Sequence, residues 1–393
     1  MLNLTFWTSV PSFYQCELFR ALARLEELKL RVIFEHDITS ERTNLGWQND
    51  LWGFDYQFID NHRPVIDAIR KVHSYAAATN VVSGLWAGKV QESVLATLFV
   101  SRAKYFIYSE APDPSLRLPS LKKKLLTAAG KRILKRASGA LAISRFAVDY
   151  FRSYDMDRNK IYPFGYFRST PLNFKLTGSN KQKETVDIVF VGQLVHRKGL
   201  DILLNAAEPL LSARQELRLH LIGTGDREQE YRSWVSERGL SSGVFFEGIV
   251  ESGSVIDNIS KFDLLVLPSR WDGWGIVVNE ALMAGVPVIV SDMCGAADVV
   301  RDGVNGYVFH SEAAGELRMK LETFLGDLSL RKSLADEARK TGRALEAGHA
   351  SEYLFKVLTK GSFDESLRDA EMSASPTYPW IQNTAGKAFE RDT

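Results

Sequence analysis

Short apolar segments alternate with amphipathic stretches along most of this 393-residue chain. Leu2–Thr8 has the composition of a strand, and residues 12–28 repeat apolar side chains at helical spacing. Further strands are predicted at 30–35, 54–59, 105–109, 140–143 and 160–164, and helices at 65–73, 88–101 and 118–137. Repeated strand–helix alternation predicts a parallel sheet that is covered by helices.

The alternation stops once and then starts again. Residues 169–185 have no periodicity and are rich in Ser, Thr, Asn and Lys, which is typical of a linker. A buried strand, Val186–Val191, follows, and later strands are predicted at 217–222, 244–247, 263–268 and 286–291. We therefore predict an α/β chain of two Rossmann-like domains, 1–170 and 183–370, with a tail, 371–393, that can cross back to the first domain.

Composition excludes several classes of protein. Hydrophobic residues make up 45% and charged residues 25% of the chain, which argues against a largely disordered protein. No apolar run approaches the roughly 18 residues that span a bilayer, and the N-terminus lacks the basic lead-in of a signal peptide. Cys16 and Cys294 are the only cysteines, so no zinc cluster or disulfide scaffold is expected. These features favour a reducing cytoplasm.

The net charge of +1 conceals two halves of opposite sign. Residues 1–180 hold 25 Lys and Arg against 16 Asp and Glu, and the remaining residues hold 24 against 32. The first half therefore has a positive excess and the second half a negative excess. Such an asymmetry indicates two domains with different partners.

One predicted helix carries much of the positive excess. No Asp or Glu occurs between Asp113 and Asp149, and apolar residues accompany the cations at near-helical spacing. Basic amphipathic helices bind anionic membrane surfaces, whereas a plain solvated face is the simpler alternative. No recognised nucleic-acid motif is present, so no nucleic-acid partner is expected. The predicted membrane-contact residues are Lys122, Lys123, Lys124, Lys131 and Arg132.

Ligands of doubly wound sheets bind beyond the carboxyl ends of the strands, and two such ends in the second domain are rich in Gly. Residues 192–199 form a loop bounded by Gly that carries Arg197 and Lys198 in front of a predicted helix. Backbone N–H groups, the helix dipole and two cations suit a phosphate, although a solvated turn would have the same residues. After the next strand, Gly223 and Gly225 would let a ligand approach the backbone closely.

A third strand end carries two carboxylates. Asp272 lies just before a predicted helix, and Glu280 lies inside it, within an otherwise apolar stretch. A carboxylate in such a stretch must find a partner or stay neutral. A ribose diol is one suitable partner, because a carboxylate can accept two hydroxyl hydrogens. The alternative is a Glu280 side chain that turns outward from an amphipathic helix.

The order and spacing of these motifs resemble the donor domain of retaining glycosyltransferases of family four, the glycosyl transferases group 1. The resemblance runs from Val186 to about Phe309 through Gly-x-Leu-x-x-x-Lys-Gly, Gly-x-Gly, Phe-x-Gly, the two carboxylates, Gly-Val-Pro-Val and Asp-Gly-x-Asn-Gly. It implies the GT-B fold, in which two Rossmann-like domains face each other across a cleft. It also implies sugar transfer from a nucleotide-sugar with retention, of the bacterial cell-surface polysaccharide type.

The resemblance also implies roles for individual residues. Lys198 would bind the donor diphosphate and Glu280 the ribose, while Asp272 stands where the family has a Glu near the transferred sugar. Gln193 stands where the family often has Arg. Ile249 or Val250 would border the base, and the backbone amides of 274–276 would hold sugar and phosphate. The full donor-binding set is Gly192, Gln193, Arg197, Lys198, Gly223, Gly225, Ile249, Val250, Asp272, Gly273, Trp274, Gly275, Ile276 and Glu280.

The first domain resembles the family less closely. The Gly-Gly pair of the family's first loop is absent, as is the His that the family commonly offers after a middle strand. Glu110 is the nearest polar residue at that place, so the implied catalytic residues are Lys198, Asp272 and Glu110. Residues 162–167 are interpreted as hinge and packing.

The hypothesis is therefore a glycosyltransferase that moves a hexosyl or related sugar from a nucleotide-sugar to a saccharide or lipid-linked acceptor, in cell-surface polysaccharide or glycolipid synthesis. No cofactor or metal ion is expected, because cations and amides can serve the diphosphate and because Asp155 and Asp157 follow a helix rather than a strand. We expect a cytoplasmic protein that can associate peripherally with the inner face of the plasma membrane. The alternatives are a GT-B nucleotide-sugar epimerase and a non-catalytic two-domain sugar-binding protein.

Overall fold

The computed structural model describes residues 1–44, 46–48, 51–115, 120–171, 174 and 184–360. The chain divides into two compact units. The first unit comprises residues 1–40, 49–169 and 347–380, and the second comprises 41–48, 170–346 and 381–393. The tail predicted at 371–393 lies outside the described residues.

Each unit is built on a parallel sheet. The strands of the first unit are β1 (Leu2–Thr8), β2 (Leu28–Phe34), β3 (Tyr56–Phe58), β4 (Thr79–Ser83), β5 (Tyr105–Glu110), β6 (Gly139–Ile143) and β7 (Ile161–Phe164). They pair in the order β3-β2-β1-β4-β5-β6-β7. The order reverses direction between β1 and β4, which are neighbours at the middle of the sheet.

The second sheet has the same plan with one strand fewer. Its strands are β8 (Val186–Val191), β9 (Leu217–Ile222), β10 (Val244–Gly248), β11 (Leu264–Leu267), β12 (Val288–Ser291) and β13 (Gly306–Phe309). They pair in parallel in the order β10-β9-β8-β11-β12-β13, the Rossmann arrangement. The predicted α/β architecture with two Rossmann-like sheets is confirmed.

Thirteen helices connect the described strands and flank the sheets. They are α1 (Phe13–Ala23), α2 (Ser40–Asn44), α3 (Pro64–Ser74), α4 (Lys89–Val100), α5 (Ser120–Arg136), α6 (Ser144–Arg152), α7 (Leu200–Ala213), α8 (Glu228–Glu237), α9 (Val255–Ile259), α10 (Val277–Met283), α11 (Ala314–Gly326), α12 (Leu328–Ala344) and α13 (Ala347–Lys360). No helix among the described residues has the length and apolar character needed to cross a membrane.

Local chemistry sets where some of these helices begin. Helix α3 starts at Pro64, whose fixed φ suits the first helical position and whose missing N–H would be unpaired there anyway. Helix α12 starts after Asp327, whose carboxylate accepts hydrogen bonds from the backbone N–H groups of Ser329 and Leu330. Both signals are visible in the sequence: Pro64 removes one N–H group that would have no partner, and Asp327 pairs two others.

Strand β4 occupies the centre of the first sheet but is not predicted by the sequence analysis. Only Val81 and Val82 in it are strongly β-forming, and its Asn80 would normally mark a loop. The structure makes this residue compatible with burial, because the Trp7 indole N–H donates to Asn80 Oδ1 at 2.9 Å and the Asn80 amide donates to the Ala78 carbonyl at 2.9 Å. A buried polar group is tolerated when it is hydrogen-bonded in this way.

Helix α13 lies in the first unit, although the sequence analysis assigns residues 347–370 to the second domain. It packs against α1, and the ammonium of Lys104 donates to the carbonyl of Leu358 at 2.9 Å. The ring of Tyr353 also stacks on that of Phe164, with centroids 6.1 Å apart. Helical periodicity shows that a segment has an apolar face but not which unit will cover it.

The crossing of α12 over α10 depends on a glycine. A Cβ on Gly342 of α12 would lie 2.5 Å from the carbonyl oxygen of Leu282 and 2.5 Å from the backbone N of Met283. Both are backbone atoms, which cannot move aside as the end of a side chain can. The two helices therefore approach as closely as they do only because position 342 has no side chain.

We predict that Gly342→Ala lowers the stability of the protein by about 1–3 kcal/mol, because the added methyl group overpacks this contact. Gly315→Ala is the matched control, since Gly315 lies in α11 with no atom within 4 Å of its added Cβ. There alanine should stabilise the helix by about 0.5–1 kcal/mol. Calorimetric melting of both variants tests the prediction, and equal shifts for the two would contradict it.

Candidate functional site

The point where the strand order of the second sheet reverses lies between β8 and β11. Strand β8 pairs with β9 on one side and with β11 on the other, through Leu264↔Ile188 and Leu265↔Val189. In doubly wound sheets the loops that leave such a point turn in opposite directions and open a crevice for a ligand. The loops after β8 and β11 are those that carry Lys198 and Asp272.

Two glycines let the loops after β8 and β9 pack backbone against backbone. A Cβ on Gly223, which has φ +133°, would lie only 1.9 Å from the carbonyl oxygen of Gly192. The Gly192 N–H donates to Ile222 O at 3.0 Å, and the Gly223 N–H donates to Gly248 O at 2.6 Å. Gly225 makes a similar approach to the Leu194 carbonyl. The Gly-x-Gly motif thus serves first to bring adjacent loops together.

Lys198 and Asp272 form an ion pair across the reversal point. Lys198 ends a short 3-10 turn, His196–Lys198, just before α7, and its ammonium bonds Asp272 Oδ2. The side chains are 14% and 13% exposed, so solvent screens this pair less than a surface pair. The two residues assigned to the diphosphate and to the transferred sugar therefore lie in direct contact.

The second cation of the turn is also anchored. Arg197 Nη1 donates to the carbonyl of Trp271 at 2.8 Å, and the Arg197 carbonyl accepts from the N–H of Arg270 at 2.9 Å. Gln193 lies between the turn and β8, and its carbonyl accepts from the N–H of Val195 at 2.9 Å. Both cations of the turn are thus held against the loop that follows β11.

The loop after β11 is fastened to the neighbouring loop after β12. The N–H of Asp272 donates to Met293 O at 3.0 Å, and the N–H of Gly295 donates to Asp272 O at 2.9 Å. Trp274 is buried, and its indole N–H donates to Asn279 Oδ1 at 2.9 Å. These contacts fix the backbone of Gly273, Gly275 and Ile276 at the start of α10. The Trp274 side chain itself belongs to the core.

Glu280 is buried, with only 2% of its surface exposed. It lies in the first turn of α10, every residue of which is buried. The alternative of an outward-facing Glu280 on an amphipathic helix is therefore wrong. The helix follows β11, the strand that pairs with β8, whose loop carries Lys198.

The residues expected beside the base lie after β10. Ile249 is 47% exposed, and Val250 is partly buried. Within the second unit, Gly46, from early in the chain, lies on these residues: Gly46 O accepts from the Ser252 N–H at 3.1 Å, and a Cβ on Gly46 would meet Val250 O at 2.9 Å. The sequence analysis does not predict this contact, which joins residues about 200 positions apart.

In the first unit, Glu110 ends β5 and is surrounded by tyrosines. It forms a hydrogen bond with Tyr166, and burial together with the charge of Glu110 raises the pKa of the Tyr166 phenol well above its ordinary value. Burial and the nearby Tyr14 and Glu110 likewise raise the pKa of Tyr108. The phenols therefore remain neutral donors. Tyr166, interpreted from sequence as hinge and packing, is a hydrogen-bond neighbour of Glu110 that the sequence analysis does not identify.

Two buried hydroxyls flank Glu110 at the same edge of the first sheet. Ser83 ends β4 and Ser144 follows β6, the strands on either side of β5. Neither side-chain oxygen has a hydrogen-bond partner among the described residues. Ser144 also has a positive φ of 72°, which is strained for a residue other than Gly. Buried polar groups without a partner are uncommon, which distinguishes this edge of the first sheet.

The basic helix α5 exposes Lys124, Lys131 and Arg132, while the side chains of Lys122 and Lys123 lie outside the described residues. Leu125 is 65% exposed on the same helix. Lys131 is paired with Asp155, and their charged atoms lie 2.5 Å apart.

Asp157 caps a short turn by accepting from the Asn159 N–H. Among the described residues, no group of three or more His, Cys, Asp or Glu could hold a metal ion.

The family model described as Glycosyl transferases group 1 matches residues 174–341. This part of the chain is therefore similar to the glycosyl transferases group 1 family. The match contains the turn at Lys198, Asp272 and Glu280, which agrees with the motifs that suggested the family.

Curated relatives match the same region. The chain is 28% identical over 169 residues to an uncharacterized glycosyltransferase, MJ1607, of Methanocaldococcus jannaschii, covering 43% of each chain. It is 27% identical over 151 residues to the alpha-D-kanosaminyltransferase of Streptomyces kanamyceticus, covering 38% of this chain and 39% of that one. The chain thus spans about two fifths of the length of these relatives.

Solved structures extend the likeness to both units. Anabaena Alr3699/HepE, crystallised in complex with UDP, matches 92% of this chain and 100% of its own with a TM-score of 0.72 at 16% identity. At this identity the likeness establishes the fold alone. Together with the two Rossmann-like sheets, it identifies the fold as GT-B.

Proposed function

We propose that this protein is a retaining glycosyltransferase that uses a nucleotide-sugar donor. The observation that carries the proposal is the Lys198–Asp272 pair at the reversal point of a Rossmann-order sheet, inside the segment that matches the family model. Two cations, Arg197 and Lys198, stand there in a turn just before α7. A sugar diphosphate is the ligand that needs both a cationic turn and carboxylates for hydroxyl groups.

In the proposed reaction, the bond between the anomeric carbon and the diphosphate oxygen breaks while an acceptor hydroxyl oxygen attacks from the same face. The acceptor proton passes to the departing diphosphate oxygen, so charge and atoms balance. Lys198 and Arg197 stabilise the negative charge that develops on the diphosphate. The donor would displace Asp272 from Lys198 in part and leave the Asp272 carboxylate free to accept from sugar hydroxyls.

We propose that other residues of the second unit bind the ribose, the base and the sugar of the donor. The buried Glu280 carboxylate would bind the ribose diol, and Ile249 and Val250 would border the base. Anabaena Alr3699/HepE has been crystallised with UDP and with UDP-glucose, so UDP-sugars are the first donors to test. The amides of Trp274, Gly275 and Ile276 would contact the sugar and phosphate.

The acceptor would bind at the carboxyl edge of the first sheet. Glu110, held by Tyr166, and the hydroxyls of Ser83 and Ser144 supply acceptors and donors for a polyhydroxylated ligand. A saccharide or lipid-linked saccharide of a cell-surface polysaccharide or glycolipid fits this chemistry. The basic helix α5 lies in the same unit, and we propose that it holds the protein at the inner face of the plasma membrane beside such an acceptor.

Turnover of a panel of UDP-, GDP- and dTDP-sugars tests the function, and we expect Lys198→Ala to lower it about a hundredfold or more. Removing one group that stabilises developing negative charge costs about 2.7–4 kcal/mol of transition-state stabilisation in comparable sites. The measurement is kcat with the best donor on folded protein, with the anomeric configuration of the product determined by NMR.

Lys320→Ala is the matched control, because Lys320 pairs with Asp302 on the surface of the same unit at 3.1 Å. It should keep normal turnover. Near-normal turnover in Lys198→Ala would refute the diphosphate role. Donor binding without transfer to any acceptor would instead favour a binding protein, and isomerisation of the donor sugar would favour an epimerase.

We further predict that Glu280→Gln weakens the binding of free nucleoside diphosphate more than Asp272→Asn does. Glu280 is assigned to the ribose, which this ligand contains, whereas Asp272 competes with the diphosphate for Lys198. Losing the Asp272 charge should therefore leave nucleotide affinity equal or higher. Calorimetric titration of both variants gives the comparison, and a larger loss for Asp272→Asn would show that the two roles are misassigned.

A membrane-binding prediction follows from α5. Replacing Lys122, Lys123, Lys124, Lys131 and Arg132 with Gln should abolish sedimentation with anionic liposomes at low salt, because each basic residue near such a surface contributes about 1 kcal/mol. Replacing Lys332, Lys340 and Arg343 of α12 with Gln is the control and should have no effect. If the wild-type protein ignores anionic liposomes, or the α5 variant still sediments with them, the helix is only a solvated face.

A further inference from the structure

Arg270 has every guanidinium hydrogen engaged. Nη1 and Nη2 donate to the two carboxylate oxygens of Asp201, both at 2.7 Å. Nε and Nη2 donate to the two oxygens of Glu312 at 2.5 and 3.1 Å. The second hydrogen of Nη1 goes to the carbonyl of His196 at 2.9 Å. A guanidinium has five N–H donors, and here all five are used.

These partners come from three different parts of the second unit. His196 starts the 3-10 turn that carries Arg197 and Lys198, Asp201 lies in the first turn of α7, and Glu312 follows β13. Arg270 itself lies in the loop after β11, two positions before Asp272. One planar group therefore connects the diphosphate turn, the helix behind it and the loop that carries Asp272.

The backbone of Arg270 strengthens the same connection. Its N–H donates to Arg197 O at 2.9 Å, while the Arg197 guanidinium donates to Trp271 O at 2.8 Å. The turn at 196–198 is thus held to residues 270 and 271 by backbone–backbone hydrogen bonds and by hydrogen bonds from the side chains of Arg197 and Arg270. These bonds connect the segment that carries Lys198 to the segment that carries Asp272.

The electrostatic environment stabilises the ionised form of Asp201 beside Arg270. Burial would raise the pKa of Asp201, but the hydrogen bonds and charge of Arg270 hold that pKa below its ordinary value. The Arg270 side chain is 18% exposed, and two bidentate carboxylates face it. Bidentate, charge-assisted bonds of this kind are about twice as strong as neutral ones and fix orientation as well.

We propose that Arg270 is a positioning residue for donor binding: it holds the turn that carries Arg197 and Lys198 against the loop that carries Asp272. The inference rests on the proposed function, because it assumes that this turn binds the diphosphate. The side-chain partners of Arg270 are Asp201, Glu312 and the His196 carbonyl, and they do not include the charged groups of Lys198 or Asp272. Arg270 would therefore act through the backbone of the turn.

Lysine cannot replace arginine in this place. Its single ammonium nitrogen has three donors and no planar fork, so it cannot bond two carboxylates in bidentate fashion and a carbonyl as well. Arg270→Lys would keep the positive charge and most of the volume but release the His196 carbonyl. The turn at Lys198 would then lose its fixed position relative to the loop after β11. A displacement of about 1 Å in a catalytic group can lower the rate about a hundredfold.

The test compares nucleoside diphosphate affinity, measured by calorimetric titration, with melting temperature and with the KM and kcat for the donor. We expect Arg270→Lys to weaken the binding of the nucleoside diphosphate about tenfold to hundredfold and to raise the donor KM by a similar factor. Asp201→Asn, which removes the charge of the carboxylate in the first turn of α7, should act in the same direction. It provides a second variant if Arg270→Lys folds poorly.

Two controls separate positioning from general stability. Arg301→Lys alters another Arg–Glu pair of the same unit, Arg301–Glu337 at 3.0 Å, and should leave affinity unchanged. Glu312→Gln alters the outer partner, which is 60% exposed and does not touch the turn, and should have a smaller effect than Asp201→Asn. A lower melting temperature with unchanged affinity in Arg270→Lys and Asp201→Asn would overturn the inference, since that is the result of a merely structural ion pair.

Lys198→Ala is measured in parallel to separate this inference from the proposed function. If Lys198→Ala loses nucleotide affinity and Arg270→Lys keeps it, the diphosphate role stands and the positioning role is refuted. If Lys198→Ala itself binds the nucleoside diphosphate normally, the proposed site fails and the inference fails with it. Loss of affinity in both, with Arg301→Lys unaffected, supports both.

Discussion

The ion pair between Lys198 and Asp272 joins loops that are 74 residues apart in the chain, and the site of the second unit is arranged around it. The pair can form only because β11 is inserted beside β8, so that two loops leaving the reversal point run past each other. Both side chains are largely withdrawn from water, and their opposite charges compensate each other there. In the proposed reaction, the leaving diphosphate meets a cation whose position is already set, which is the condition for electrostatic stabilisation without reorganisation.

The two sheets share one strand plan but differ in the chemistry at their carboxyl edges. The second unit presents cations in a turn and a buried carboxylate on α10, whereas the first presents Glu110, phenols and serine hydroxyls. In the proposed function, the first edge binds the hydroxylated acceptor and the second binds the diphosphate of the donor. The positive excess of the first half of the sequence comes largely from the basic helix α5 of the first unit, whereas the cations of the second unit's turn are local to that turn.

Much of the site was predictable because the motif residues lie in short local patterns. The loop with Lys198, the Gly-x-Gly turn, and the spacing of Asp272 and Glu280 can all be recognised without coordinates. Arg270 was not singled out, because its partners Asp201 and Glu312 lie 69 and 42 positions away and no local pattern links them. The contact of Tyr166 was not predicted for the same reason, since its hydrogen-bond partner Glu110 lies on a strand more than 50 positions earlier.

The sequence by itself determined the fold class, the repeated strand–helix plan and the residue types that face the proposed donor, because apolar periodicity and glycine-bounded loops act over a few neighbouring positions. Only the tertiary structure decided that β4 pairs with β1 at the centre of the first sheet, that α13 packs on α1, and that one guanidinium fastens the turn at Lys198 to the loop at Asp272. Those choices depend on which distant surfaces are complementary. A buried Asn80 becomes acceptable once Trp7 donates to it, and five donors on Arg270 are satisfied once three distant segments meet. Such energies exist only when the chain has folded.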